Sequence, residues 1–315
     1  MPMLDPNRLP EFVKRYHDNL NDRLVGRGLR QESYYTDLVR FFGHSAMDPK
    51  RVTVDYLDQP FHIGDPLIRK FSGIVEKQLR DEGRLYDGPL AMKIADFKPR
   101  VTPPTITVQP IEYGQFAGSC FALDLEHELF RQYGGTLREY YKRTYPSNDI
   151  TDNPLAICLG VCGMVLLEKP SPMLLRVKRA GKLASLESSC GPSVSGGVDY
   201  STQHDNLYDL FNNALVKEIH EEIDLQPGEY HITPLAYARE ILRGDHPQIF
   251  CLIRTSVHQN EFSQRLHNKT GPDCEFDSFD FVPLRPDLTL DPNTIATFNR
   301  EGRMNYYLLE EYLTK

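Results

Sequence analysis

The chain has 315 residues, 40% of them hydrophobic and 25% charged, with a net charge of −8. These values suit a folded protein with a well-buried core and two structural units. No apolar run reaches the ~18 residues of a membrane span, and the start, MPMLDPNRLPEF, lacks the basic-then-apolar pattern of a signal peptide. An acidic surface grips a polynucleotide backbone poorly, so long DNA or RNA is not the expected partner. A small phosphorylated ligand is compatible with it, because a metal ion can screen carboxylates from phosphates.

Residues 1–95 are expected to form a mostly helical N-terminal segment. EFVKRYHDNLNDRLV and SYYTDLVRFFG carry apolar residues at helical spacing, and DPLIRKFSGIVEKQLRDEG predicts a further helix that stops near Gly83. LYDGPLAMKIADF then predicts a turn and a strand. Residues 96–150 are expected to supply a strand and a short helix that pack on the C-terminal domain. Proline places VTPPTITVQPIEY at a sheet edge. The helix after Gly134-Gly135 carries Tyr140, Tyr141 and Tyr145, whose spacing suits packing better than stacking on a base. From residue 151 to 315 the pattern alternates. PLAICLGVCGMVLLE and MLLRVKRAG are two strands joined by a proline turn at 169–172. CGPSVSGGVDY is a short strand ending in two glycines, and DNLYDLFNNALVKEIHEEIDL is the clearest helix. YHITPLAYAREIL, QIFCLIRTSV and EFDSFDFVPL predict strands, and NYYLLEEYL a closing helix. The six cysteines are scattered, and Cys158 and Cys162 sit in an apolar run with no second ligand pair. They read as core residues of a protein kept in a reducing cytoplasm, not as a zinc site or a disulfide scaffold.

The chemistry is expected in KEIHEEIDL. Glu218, Glu221 and Glu222 stand at i, i+3 and i+4, within a ~100° arc of one helical face. Three like charges on one face repel unless a cation neutralises them, and magnesium is satisfied by two or three carboxylates together with waters and substrate phosphates. Gly196 and Gly197 end the preceding strand, where a bare backbone can approach phosphate closely. Arg179, at the end of one strand, and Arg239, in the strand after the helix, offer a fork of donors for a diphosphate. His204, in the intervening loop, is a candidate base or substrate contact.

The segment resembles the box of the Nudix hydrolases, G-x5-E-x7-R-E-U-x-E-E-x-G-U with U apolar. Glu218, Glu221 and Glu222 match its three clustered glutamates, and Ile219 and Leu225 its apolar positions. Lys217 stands at the Arg, Asp209 at the first Glu and Asp224 at the last Gly. Gly197 lies about six residues too far upstream, so the loop is longer than the motif allows. The order of segments over about 85–315 is similar to that of the Nudix UDP-sugar pyrophosphatases.

The resemblance implies an α/β/α sandwich with a mixed sheet over 151–315. It implies Mg2+ or Mn2+ held by Glu218, Glu221 and Glu222, with Glu222 orienting or deprotonating the attacking water and Lys217 in the site. The implied reaction is hydrolysis of a nucleoside diphosphate linked to a group X, giving a nucleoside monophosphate and phosphorylated X. The altered box positions also fit a nucleotide sensor that does not cut, and a regulatory oligonucleotide or dinucleoside polyphosphate is a third substrate class. The N-terminal segment is the expected contact for a protein partner or a second copy of the chain.

Overall fold

The computed structural model describes residues 35–315 apart from 86, 148, 181–188, 202 and 270–274. The stretch EFVKRYHDNLNDRLV lies outside the described residues. The main sheet runs in the order β1 (Tyr35–Arg40), β9 (Tyr230–Glu240), β10 (His246–Thr255), β5 (Gly160–Leu167), β6 (Met173–Arg179), β11 (Phe276–Pro283). Two short strands lie off this path: β7 (Cys190–Gly191) pairs with β6, and β8 (Val194–Gly197) with β5. β10 and β5 are parallel and the other pairings antiparallel, so the sheet is mixed.

The central pair explains the layering. Every residue of β5 is buried, as expected of a strand covered on both faces. Side chains alternate along it. Val161, Val165 and Leu167 join one core, while Cys162, Met164 and Leu166 join another. β10 does the same, with Ile249, Cys251 and Ile253 on one side and Phe250 and Leu252 on the other. The first core is covered by α4 (Leu207–Glu218) through Leu210, Phe211 and Leu215, and by α5 (Gln259–Asn268) through Phe262 and Leu266. The second is covered by α6 (Pro292–Thr297) through Ile295 and by α7 (Arg300–Leu313) through Met304 and Leu308. The result is the α/β/α sandwich. Cys120, Cys158, Cys162 and Cys251 are free and buried, as the core reading requires.

A second, three-stranded sheet contributes to the first core. Its order is β2 (Thr53–Tyr56), β4 (Thr105–Ile111), β3 (Ala91–Lys98). It is accompanied by α1 (Pro66–Asp81), α2 (Tyr113–Cys120) and α3 (Leu137–Thr144). α1 begins where Asp65 caps Leu67 and Ile68 N–H at 2.8 and 3.0 Å. The other oxygen of Asp65 accepts from Tyr140 and Tyr145 at 2.7 and 2.9 Å, which fixes the tyrosines of α3 as packing residues.

Two expectations need correction. SYYTDLVRFFG forms a strand, not a helix, over Tyr35–Arg40. The segment is rich in aromatic and β-branched residues, and pairing with the open edge of β9 outweighs its helical spacing. Asp37, at φ 52°, accommodates the irregularity between Thr36 and Val39. The proline-rich strand lies in the centre of its sheet, not at the edge. This is tolerated because β2 pairs only as far as Val108, so Pro110 needs no hydrogen bond on that side. Among the described residues, no helix is long and apolar enough to cross a membrane.

Lys93, in β3, is only 3% exposed. Its ammonium donates to Leu155 O at 3.3 Å and lies 4.6 Å over the Phe61 ring, with no carboxylate partner among the described residues. Burial pulls its pKa from 10.5 to about 8. Between these values the unfolded chain binds the proton and the folded chain releases it, so stability rises with pH. Lys93→Met removes a buried charge at neutral pH. The variant is expected to melt about 2–6 °C higher at pH 7 and to lose the rise above pH 8, as read by thermal denaturation across pH.

Candidate active site

The helix that carries the glutamates is set up locally. Asn206 caps it by accepting from Asp209 N–H at 3.0 Å, and its amide returns a bond to Asp209 Oδ2 at 2.8 Å. Asp209 is exposed and belongs to this cap. After Glu218 the α-helix widens into a π-turn over Ile219–Ile223. A π-turn closes i→i+5, so each residue advances by less than the α-helical ~100°. Glu218 and Glu222 stay on the sheet-facing side and are half-buried, while Glu221 is exposed. The single arc expected for all three is therefore broken.

The turn is finished from outside. Lys269 donates to His220 O at 2.6 Å and Glu221 O at 2.9 Å, satisfying carbonyls that the helix end leaves free. Asp224 then adopts the left-handed conformation, φ 57° and ψ 33°. This is the position where the resembled motif has glycine, and Asp is among the few other residues that visit this region readily.

Glu218 and Glu222 face the end of β8. Glu222 Oε2 accepts from Ser195 N–H at 3.2 Å, while its Oε1 is sealed from solvent with no partner among the described residues. A Cβ on Gly196 would lie 2.2 Å from Glu218 Oε1, so a side chain there would displace the carboxylate. Arg179 reaches the same place, donating to Ser195 Oγ at 2.7 Å. Its other end is 3.9 Å from Glu275, on the loop before β11. Lys217 holds Asp199 at 2.9 Å, on the rim of the cleft. Glu218, Gly196, Gly197, Arg179, Asp199 and Glu275 all line one cleft of about 280 Å3. That is near the lower end of the ~300–1,000 Å3 usual for small-molecule sites.

Charge is poorly compensated here. Burial, then Glu275, pushes the Glu218 carboxyl up to about 8. Glu222 is raised well above the carboxylate range by burial, Glu275 and Glu218, against the pull of Arg179 and the Ser195 amide. Carboxylates crowded in this way, one with an orphaned oxygen, have the donor chemistry of a site for a hard divalent cation. As they stand, no three His, Cys, Asp or Glu side chains among the described residues are grouped so as to hold a metal ion.

Two predicted residues lie elsewhere. Arg239 pairs with Asp37 and lines a separate cavity of about 1100 Å3 beside β1. The reason is register: Arg239 sits opposite Thr36 at the β1 edge, away from β8. His204 is not in the cleft. Its ring meets Asn213 at 3.0 Å and its backbone N–H donates to the Tyr56 hydroxyl at 2.8 Å, which ties the inserted loop to β2. Conversely, sequence reading missed Glu275 and a floor of Arg243, His246, Gln248 and Glu301. The run of polar residues in REILRGDHPQ contains Arg243, His246 and Gln248, but nothing in it marks them as lining a cleft, and Glu275 and Glu301 carry no signal at all.

No family model and no curated protein matches the chain. Three solved structures overlap about half of it. The Deinococcus radiodurans protein DR0079 is 14% identical, covering 49% of this chain and 82% of its own, with a TM-score of 0.33. A Caenorhabditis elegans Ap4A hydrolase is 9% identical, covering 49% and 95%, with a TM-score of 0.31. A Nudix hydrolase from M. smegmatis, RenU, is 9% identical, covering 49% and 84%, with a TM-score of 0.31. At these values the likeness does not by itself assign a family.

The raised carboxyl makes a prediction that needs no substrate. Between pH 4.5 and about 8 the folded protein holds a proton on Glu218 that the unfolded chain has released. Stability from this group is full below 4.5 and is lost as pH rises through about 8. In chelator, Glu218→Gln is expected to melt about 2–5 °C above the parent at pH 8 and level with it near pH 4.5, as read by calorimetry.

Proposed function

We propose that the chain is a metal-dependent hydrolase of the Nudix type that cuts the diphosphate of a nucleoside diphosphate linked to a group X. The observation that carries this reading is the convergence of Glu218 and Glu275 on one cleft beside the bare backbone of Gly196, with the buried Glu222 behind them against the Ser195 amide. The crowded carboxylates suit a cation, and the glycine leaves room for a phosphate oxygen against the strand end.

Glu218 and Glu222 would hold the cation, with the exposed Glu221 of the same turn as a further carboxylate. Magnesium or manganese supplies positive charge for the phosphoryl oxygens and lowers the pKa of a bound water. Glu222, fixed by the Ser195 amide, keeps one oxygen unengaged in protein contacts and takes the proton of the attacking water. Arg179 turns its guanidinium toward the diphosphate, and its bond to Ser195 fixes that approach. Lys217 acts at one remove by holding Asp199 at the rim. Gly197, beside Gly196, extends the bare backbone along the cleft.

Turnover is expected to vanish in chelator and to return with magnesium or manganese. Glu222→Gln is expected to lower kcat by about 10²–10⁴-fold without lowering the melting temperature, and Glu221→Gln by less. Full activity in excess chelator rejects the mechanism. Tight nucleotide binding without any turnover makes the protein a sensor.

For the group X we propose a sugar on UDP. The similar order of segments supports this, and so does Asp199 on the cleft rim, whose carboxylate suits a sugar hydroxyl. With metal present, UDP-sugars are expected to be cut faster than ADP-ribose, nucleoside triphosphates or dinucleoside polyphosphates, as read by product analysis. Faster cleavage of a dinucleoside polyphosphate or of ADP-ribose overturns the sugar assignment and leaves the hydrolase standing.

A further inference from the structure

Part of the cleft is built from the connection between β9 and β10. Its tight turn, Ile241–Arg243, ends at Gly244 and Asp245 with φ 73° and 68°. Arg138 pins the turn by donating to Ile241 O at 3.0 Å and Leu242 O at 2.7 Å. This places Arg243, His246 and Gln248 in the floor of the cleft. Buried charges there are tolerable only if paired, and they are paired. Glu240 takes Arg243 at 2.6 Å and Arg300 at 3.2 Å. Arg243 also approaches Glu301 at 3.5 Å, and Gln248 bridges the two, donating to Glu301 and accepting from Arg243 at 3.4 Å.

His246 stands apart from this network. It is 3% exposed, and its Nδ1 is buried without a hydrogen-bond partner among the described residues. Burial, then the Arg243 charge, holds the ring neutral against the pull of Glu240 and of the Cys158 backbone. The ring is stacked on Phe116 at 5.2 Å with 28° between planes. On its other side is Gly160, where a Cβ would come within 2.8 Å of His246 Nε2. An orphaned buried polar atom costs about 1–3 kcal/mol. Here the glycine and the aromatic hold the ring in place while leaving the Nδ1 capacity unspent. A neutral imidazole presents one donor and one acceptor in a plane. With the donor serving the Cys158 backbone, Nδ1 is the acceptor. Phe116, Phe121 and Tyr113 provide apolar walls beside it. The complement is an uncharged planar heterocycle whose edge carries an N–H.

We propose that this floor is the nucleobase subsite and that His246 is its specificity-determining residue, reading the base edge while Phe116 fixes the plane. The proposal rests on the reading of the cleft as a nucleotide site.

The test uses the full chain, without metal, titrated with uridine, cytidine, adenosine, guanosine and ribose and followed by NMR. At least one nucleoside is expected to bind 10-fold or more tightly than ribose. His246→Phe, which keeps the stacking and removes both nitrogens, is expected to lose at least 10-fold for that nucleoside and to flatten the preference among the four. Gly160→Ala, which forces the ring to move, is expected to give the same loss with the imidazole intact. It serves as the second variant should His246→Phe fail to fold. Nucleosides that bind no better than ribose, or variants that keep the parent's preference, overturn the subsite. Because nucleosides carry no phosphate and need no metal, that failure is separate from failure of the hydrolase. A base-selective protein that cuts nothing would keep the subsite and reject the hydrolase, while a hydrolase indifferent to the base would do the reverse.

Discussion

The register of β5 against its two neighbours is the constraint on which the rest depends. On one side Gly160 pairs with Gln248 of β10, and on the other with Gly197 of β8. The start of a single strand therefore sets the distance between the β10 floor and the glycine end of β8. That register is enforced by burial on both faces. A slip of one residue would exchange the side chains facing the two cores, turning Val161, Val165 and Leu167 toward α7 and Cys162, Met164 and Leu166 toward α4. The cleft is a consequence of packing far from it.

The two ends of the cleft manage buried charge in opposite ways. At the floor, Arg243 and Arg300 hold the Glu240 carboxyl down at about 2 despite its burial. At the acidic end, burial and the neighbouring Glu275 raise the Glu218 and Glu222 carboxyls, and Arg179 offsets only part of the rise at Glu222. The first arrangement is self-sufficient and makes a stiff platform. The second leaves its carboxyls crowded and raised. A rigid floor at one end and an unsatisfied acidic cluster at the other suit a ligand with a neutral planar head and a charged diphosphate, the latter reached through a cation.

The departures from the resembled motif find local explanations. Asp224 accepts the left-handed turn assigned to glycine, Asp209 serves the helix cap, and Lys217 engages Asp199 from the longer loop. None of the three moves Glu218 from the cleft wall or Glu222 from the Ser195 amide. The π-turn has the larger consequence, since it separates Glu221 from the other two. Its carbonyls are held by Lys269.

The sequence by itself determined the parts that depend on short spacings. Short apolar runs marked most strands of the main sheet, and helical spacing marked α4. The i, i+3, i+4 glutamates and the twin glycines marked the acidic end. The tertiary structure decided what depends on strand pairing. It made Tyr35–Arg40 a strand because β9 had an edge to fill, and it sent Arg239 to that edge and away from the cleft. It also brought Glu275, Glu301 and His246 together from separate parts of the chain. No local pattern announces such residues, because their role comes from which strands lie side by side, and that is settled by the burial of the whole sheet.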